Sequence, residues 1–254
     1  MLAVERRNKI LAILQEEQKV IVSDLSKKFN VTEETIRRDL EKLESEGFAK
    51  KTYGGAILNE NFNMDVPYTV RKMTNVDKKA ILADIVAGIV EDGDSIMLDS
   101  SSTAVFIAKR LKHKKNLTII TNSIEMVLQL SDVDGWKIIC AGGSLRQKNL
   151  SLVGHVTENI IAEYHVDKAI VSCKGIDLEK GFTDSNEADA YVKKAMLSSA
   201  YKRIVVADST KFGKVAFTKF CDFSEVDMLI SNEDPGEAWM KKLQASNIEV
   251  CFSN

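Results

Sequence analysis

No stretch of the chain approaches the ~20 consecutive apolar residues of a membrane span. The opening residues, Met-Leu-Ala-Val-Glu-Arg-Arg, lack the apolar core of a signal peptide, so a cytoplasmic protein is expected. Cysteine is scarce: Cys140, Cys173, Cys221 and Cys251 stand far apart, with no Cys-x-x-Cys pair. Cys140, Cys173 and Cys251 lie in apolar strand-like runs, and buried free thiols are expected rather than disulfides or metal ligands. His113, His155 and His165 form no ligand pattern, so neither structural zinc nor a cofactor is expected. An excess of charge of one sign is also lacking. The formal net charge of −2 excludes a nucleic-acid footprint spread over the whole surface and leaves room only for a local one. There is no internal repeat and no low-complexity tract.

What is present is enough for two domains. The 254 residues exceed one typical domain, and a 44% hydrophobic fraction allows a sizeable core.

The first domain is expected over residues 1–58. Residues 1–17 read as a helix with Ile10, Ile13 and Leu14 on its inner face, and Arg6 and Arg7 near its start are read either as a solvated basic end or as phosphate contacts. Val22, Leu25 and Phe29 form a second apolar stripe, and Asn30-Val31 is a short break of the kind that joins a helix-turn-helix. Thr32 is placed to cap the next helix, with Glu33 and Glu34 in its first turn, where the dipole favours acid. Ile36, Leu40 and Leu43 recur at i, i+4 and i+7 and face a core. At about 100° per residue Arg38 falls opposite that stripe, with Glu34, Glu41 and Lys42 beside it and Thr35 and Arg37 on its flanks. Gly47 ends the helix, and residues 48–58 read as a glycine-tipped hairpin carrying Lys50, Lys51 and Tyr53. Arginine forks onto guanine edges, while lysines on a wing grip phosphate without reading sequence. The expected DNA contacts are therefore Thr32, Glu34, Thr35, Arg37, Arg38 and Lys42 on the helix and Lys50, Lys51 and Tyr53 on the wing.

Residues 59–70 are polar and asparagine-rich, carry Pro67, and read as a linker in which Phe62, Val66 and Tyr68 pack. From there long helices alternate with short apolar strands. Helices are predicted at 71–91, 104–111, 124–130, 156–163, 188–200 and 237–245. Strands are predicted at 95–98, 117–120, 137–140, 168–172, 203–207, 228–230 and 248–252. Runs of β-branched residues without alternation mean strands covered on both faces, hence a mostly parallel, doubly wound α/β domain over 71–254.

Ligands of such sheets sit beyond the carboxyl ends of the strands. Here those positions carry Asp99, Ser100, Ser102 and Thr103; Asn122 and Ser123; Gly142 and Gly143; Lys174; and Asp208 with Lys211. Hydroxyls and backbone N–H groups at helix starts hold phosphate, lysines neutralise it, and aspartates accept from sugar hydroxyls. Each loop alone is an ordinary cap or turn, but five on one sheet edge point to a site for a phosphorylated polyol or sugar.

Together these residues resemble the DeoR family of bacterial sugar-metabolism repressors. The likeness is carried by Thr35-Ile-Arg-Arg-Asp-Leu40 and Tyr53-Gly-Gly-Ala56 in the first domain. In the second it is carried by residues 99–103, Thr121-Asn-Ser123, Gly142-Gly143, Leu152-Val-Gly154, Lys174-Gly-Ile-Asp177 and Asp208-Ser-Thr-Lys-Phe-Gly213. The resemblance implies a winged helix-turn-helix joined to a Rossmann-like sensor domain similar to ribose-5-phosphate isomerase, answering a phosphorylated sugar. It adds Glu187 to the effector set, beside Asp208 and Lys211, and implies double-stranded DNA and further copies of the chain as partners. The chain departs from the family pattern at Ser101, where a glycine is usual, and at Ala104, where a threonine is. The acidic pair of the isomerases is replaced by Cys173-Lys174, which implies a sensor rather than a catalyst. The alternative is an isomerase-like enzyme with an accessory DNA-binding module.

Overall fold

The computed structural model describes residues 1–59 and 65–253, and Phe62 of the expected linker lies outside them. Contacts divide the chain into two units, Met1–Val76 and Asp77–Asn254.

The first unit runs α1 (Ala3–Glu17), β1 (Lys19–Ile21), α2 (Val22–Phe29), α3 (Glu33–Ser45), β2 (Ala49–Thr52), β3 (Gly55–Leu58) and α4 (Tyr68–Arg71). Asn30 ends α2 in the left-handed region (φ 51°), which an asparagine tolerates better than most residues. The Thr32 hydroxyl then accepts from the Thr35 N–H at 3.3 Å to start α3. Gly47 (φ 82°) closes α3, and the Phe48 N–H donates to the Leu43 carbonyl at 2.9 Å. Strand order is β1-β3-β2, all antiparallel. Gly55 makes this possible, since a Cβ there would lie 2.0 Å from the Val20 carbonyl oxygen. Ile10, Leu14, Leu25, Ile36, Leu40 and Leu43 are all buried in one core. Each contributes about 1.5–3 kcal/mol, so apolar burial is the main hold on α3.

The boundary between units falls later than the expected linker. Val66 and Val70 join the core of the first unit, and α4 packs on α1. The single helix predicted over 71–91 is broken, because Asn75 (φ 52°) separates α4 from α5 (Val76–Ile89).

The second unit continues with β4 (Ser95–Leu98), α6 (Ser102–Arg110), β5 (Thr118–Thr121), α7 (Ile124–Leu130), β6 (Lys137–Cys140), β7 (Ser144–Arg146), β8 (Ser151–Val153) and α8 (His155–Ala162). It is completed by β9 (Val166–Ser172), β10 (Gly175–Asp177), β11 (Gly181–Asp184), α9 (Glu187–Ser198), β12 (Ala200–Ala207), β13 (Thr218–Cys221), β14 (Met228–Ser231), α10 (Glu237–Ala245) and β15 (Glu249–Phe252). The seven-stranded sheet, ordered β15-β14-β12-β9-β4-β5-β6, is parallel throughout. All seven predicted strands lie in it. Two small antiparallel sheets, β7-β8 and β10-β11-β13, were not foreseen.

The chain winds outward from β4 through β5 to β6, then returns to place β9 on the other side of β4. The crevice of a doubly wound sheet opens at such a reversal, beyond the ends of β4 and β9. Cys173 and Cys221 are buried as expected, but Cys140 is exposed and Cys251 half-buried. Both of the latter lie on the sheet's outermost strands, β6 and β15, which have a neighbour on one side only.

Candidate functional sites

The outer face of α3 presents its cations as predicted. The Arg38 side chain is 75% exposed, and Arg37 and Lys42 are exposed beside it. Each has a carboxylate partner one turn away: Arg37–Glu33 at 2.6 Å, Arg38–Glu34 at 3.2 Å and Lys42–Glu46 at 3.5 Å. Such exposed pairs are worth only about 0.3–0.5 kcal/mol, so a phosphate or a base edge can take either arginine over. Lys51 ties the wing to the helix, since its ammonium meets Glu41 at 2.8 Å and its N–H donates to Glu44 at 2.8 Å. Lys50 is exposed, and Tyr53, at the tip of the hairpin beside Gly54, is wholly so.

Arg6 is placed otherwise than expected. It is buried, and its Nε donates to Asp39 at 2.5 Å, with the Arg7 guanidinium at 3.7 Å from the other carboxylate oxygen. Asp39 stands on the inner face of α3, so Arg6 clamps that helix to α1 and is not available to a phosphate.

In the second unit the residues after β4 and β9 converge. Asp99 is 1% exposed, and its Oδ1 accepts from the Ser101 N–H at 3.2 Å and hydroxyl at 2.6 Å. Its Oδ2 accepts from the Ser172 N–H at 3.2 Å and lies 3.1 Å from the Lys193 ammonium. Ser100, Ser102 and Thr103 are buried around the start of α6. Ser101, standing where a glycine is usual, caps that helix by accepting from the Ala104 N–H at 3.0 Å.

The other predicted residues divide. Asn122 is buried, donates to the Leu152 carbonyl at 2.9 Å, and leaves its Oδ1 without a partner. Ser123 caps α7 through the Met126 N–H at 3.2 Å. Gly142 and Gly143 serve packing. The Thr157 hydroxyl donates to the Gly142 carbonyl at 2.5 Å, and a Cβ on Gly143 (φ 126°) would lie 2.0 Å from that hydroxyl. Lys174 bonds its N–H to the Thr183 carbonyl. Asp208 is buried, caps the turn that follows it through the Thr210 N–H at 3.0 Å, and has the Lys211 ammonium at 3.7 Å. Burial alone would raise its pKa, but Lys211 and Thr210 outweigh that and hold it below the usual carboxylate range. Glu187 is exposed and accepts from the Tyr191 hydroxyl at 2.9 Å, so it stands outside this cluster.

Four charged residues that the sequence reading passed over make up the middle of the site. Lys193 of α9 is buried, donates to the Ser172 carbonyl at 2.6 Å and to the Asp184 carboxylate, and forms an ion pair with Asp99 at 3.1 Å. Burial disfavours its charge, but Asp184 and Asp99 overcome this and raise its pKa. Asp189, also buried, pairs with Arg146 and accepts from the Ser151 hydroxyl at 3.1 Å and the Asn149 amide at 3.3 Å. Cys173 is buried after β9, and burial pushes its thiol pKa up to about 12, with Lys193 and Lys211 lowering it and Asp184 and Asp208 raising it. A thiol in that state stays protonated and is a poor nucleophile. A shallow depression lined by Lys194, Leu197, Ser198, Arg203, Cys221 and Glu225 includes none of the predicted residues. Among the described residues no cluster of His, Cys, Asp or Glu is placed to hold a metal ion, and no helix is long and apolar enough to cross a membrane.

The family model of the DeoR-like helix-turn-helix domain matches residues 6–62, and that of the DeoR C terminal sensor domain matches residues 74–233. The chain is 39% identical over 250 residues to the HTH-type transcriptional regulator YulB of Bacillus subtilis, covering 98% of this chain and 96% of that one. It is 33% identical over 229 residues to the transcriptional repressor AccR of Agrobacterium fabrum, covering 90% and 89%. Among solved structures, ribose 5-phosphate isomerase A from Methanocaldococcus jannaschii is similar over 55% of each chain, with a TM-score of 0.41 at 18% identity. A likeness that partial says nothing about activity.

Proposed function

The chain belongs to the DeoR family of DNA-binding transcriptional regulators, and we propose that it is a repressor of a sugar-metabolism operon, released from its operator by a phosphorylated sugar. One observation supports this above the rest. The residues that follow β4, β5 and β12 at the sheet edge where the strand order reverses include buried hydroxyls, an amide and carboxylates (Asp99, Ser102, Thr103, Asn122 and Asp208), with the buried Lys193 paired to Asp99. A polyol needs such a lining.

In the first unit, α3 enters the major groove. Arg37 and Arg38 exchange Glu33 and Glu34 for bases or phosphates, Thr32, Thr35 and Lys42 flank them, and Lys50, Lys51 and Tyr53 rest on the backbone. A recognition helix of 13 residues reads a short half-site, so the chain acts as a dimer or higher oligomer on a two-fold operator. The effector regulates by binding the free and DNA-bound arrangements with different affinity.

The test is a thermal-shift panel of ribose 5-phosphate, hexosamine 6-phosphates and their unphosphorylated parents, followed by release from promoter DNA. A matching phosphosugar at ~100 Kd adds roughly 2.7 kcal/mol of stability. A flat panel overturns the sensor reading and leaves the second unit an oligomerisation module. Aldose–ketose turnover at ordinary enzyme rates overturns it in favour of an isomerase.

A further inference from the structure

The turn that follows β12 carries more positive charge than its own acid neutralises. Lys78, in the first turn of α5, donates from its ammonium to the Ser209 hydroxyl at 2.8 Å. Among the described residues that neutral oxygen is its one hydrogen-bond partner, and no carboxylate lies within 4.0 Å of it. Lys211, on the same turn, stands 3.7 Å from the buried Asp208 carboxylate, beyond hydrogen-bond reach. Glu233 accepts from the Asn232 amide at 3.3 Å and pairs with neither lysine. The turn is well fixed, since Asn232 Oδ1 accepts from the Ser209 N–H at 2.7 Å and Asp208 from the Thr210 N–H at 3.0 Å. Two ammoniums therefore stand against one carboxylate on a held turn.

Both lysines are half-buried, so water only partly answers their charge. Of the three protons on each ammonium, Lys78 commits one and Lys211 none within hydrogen-bond distance. Lys193 differs, because its charge already meets two acids, Asp184 and Asp99. An anion at Lys78 replaces a neutral acceptor by a charged one, and a hydrogen bond to an ionised acceptor is about twice as strong. A phosphate has oxygens enough to meet both lysines at once.

We propose that Lys78 and Lys211 together receive the effector's phosphate at the Asp208 turn, Lys78 exchanging the Ser209 hydroxyl for it. Lys78 stands two residues past Val76, where the first unit ends, so the ligand takes hold of the chain beside the covalent link to the DNA-binding unit. The assignment rests on the phosphosugar reading above and adds which end of the ligand this turn holds.

Calorimetry on the full-length protein, with the phosphosugar of the panel that shifts the wild type most, its unphosphorylated parent and inorganic phosphate, tests it. Lys78→Gln is expected to cut the preference for the phosphosugar over its parent about tenfold or more, and Lys78→Arg, which keeps the charge, to retain most of it. Ser209→Ala breaks the same contact without removing the charge and is expected to retain most of the preference as well. A contact that merely braced α5 would cost Lys78→Gln and Ser209→Ala alike. In the wild type, acylation of Lys78 followed by mass spectrometry should slow with the phosphosugar and not with its parent. Equal loss in those two variants, an undiminished preference in Lys78→Gln, or labelling unmoved by a bound phosphosugar overturns the assignment and leaves the phosphosugar reading standing. Inorganic phosphate binding as tightly as the phosphosugar overturns the assignment to a sugar's phosphate. A wild type silent to every phosphosugar overturns both readings.

Discussion

Replacing Asp39 by alanine separates the two jobs done by charge on α3. Asp39 points inward, its side chain 4% exposed against 9% for Arg6, and the pair meets at 2.5 Å. The outward pairs of the same helix, Arg37–Glu33 and Arg38–Glu34, are at least half exposed or nearly so, and breaking one costs about 0.5 kcal/mol or less. Asp39→Ala instead leaves the Arg6 guanidinium buried without its acid, a change that costs about 3–5 kcal/mol. A unit of the size of Met1–Val76 has roughly 4–11 kcal/mol of total stability, so the variant removes from about a quarter to all of it. Hydrogen exchange read by mass spectrometry on α3 peptides of the full-length protein should show protection falling by about a hundredfold or more, because 1.4 kcal/mol is tenfold. Protection in the parallel sheet should stay as it was. Arg6→Met with Asp39→Leu removes both charges and should restore most of the loss, and DNA affinity with it. A single-variant cost under about 1 kcal/mol, or a double variant no better than the single, would refute the clamp.

Arg38→Ala should weaken the cognate duplex by about 1–3 kcal/mol in anisotropy titrations if it reads a base, and an equal loss on random duplex would make it a phosphate contact. Lys211→Ala should abolish release by the phosphosugar while sparing operator affinity, and unchanged release would remove Lys211 from the site. Gly143→Ala forces a Cβ against the Thr157 hydroxyl and the Val153 carbonyl at a positive φ, so thermal melts should show a loss of about 1–3 kcal/mol. Because the folded-state pKa of Asp208 is lowered from the ordinary 3.8, its contribution is present above that pH and is lost as pH falls through the lower folded value. Acid titration of Asp208→Asn should show a shallower loss below pH 3.8 than the wild type; parallel curves would refute the assignment.

The recognition helix was legible because one signal governs it: apolar residues at 36, 40 and 43 set its inner face, and Thr32 and Gly47 mark its ends. The parallel strands were legible for a similar reason, since runs such as Lys137–Cys140 and Met228–Ser231 have little else they can form. The middle of the candidate site was harder to see because its residues stand on a helix and hairpins rather than on the loops after the strands. The signal existed: Asp189 and Lys193 fall on the same stripe of α9 as Met196 and Leu197, and all four are buried. A charged pair on an apolar stripe has to find partners inside. Glu187, two residues earlier, falls off that stripe, which explains its exposure. Arg6 misled for the converse reason, since an arginine near a helix start looks solvated until its distant acid, 33 residues on, is known.

A buried ammonium held between two carboxylates has no lone pair to offer. Lys193 should therefore ignore acylating reagents, whether acetyl donors in the cell or an N-hydroxysuccinimide ester on the bench, while Lys50 and Lys42 react freely. Its labelling would begin only when the fold around it opens, so a single mass peak doubles as a gauge of whether the sensor's interior is intact.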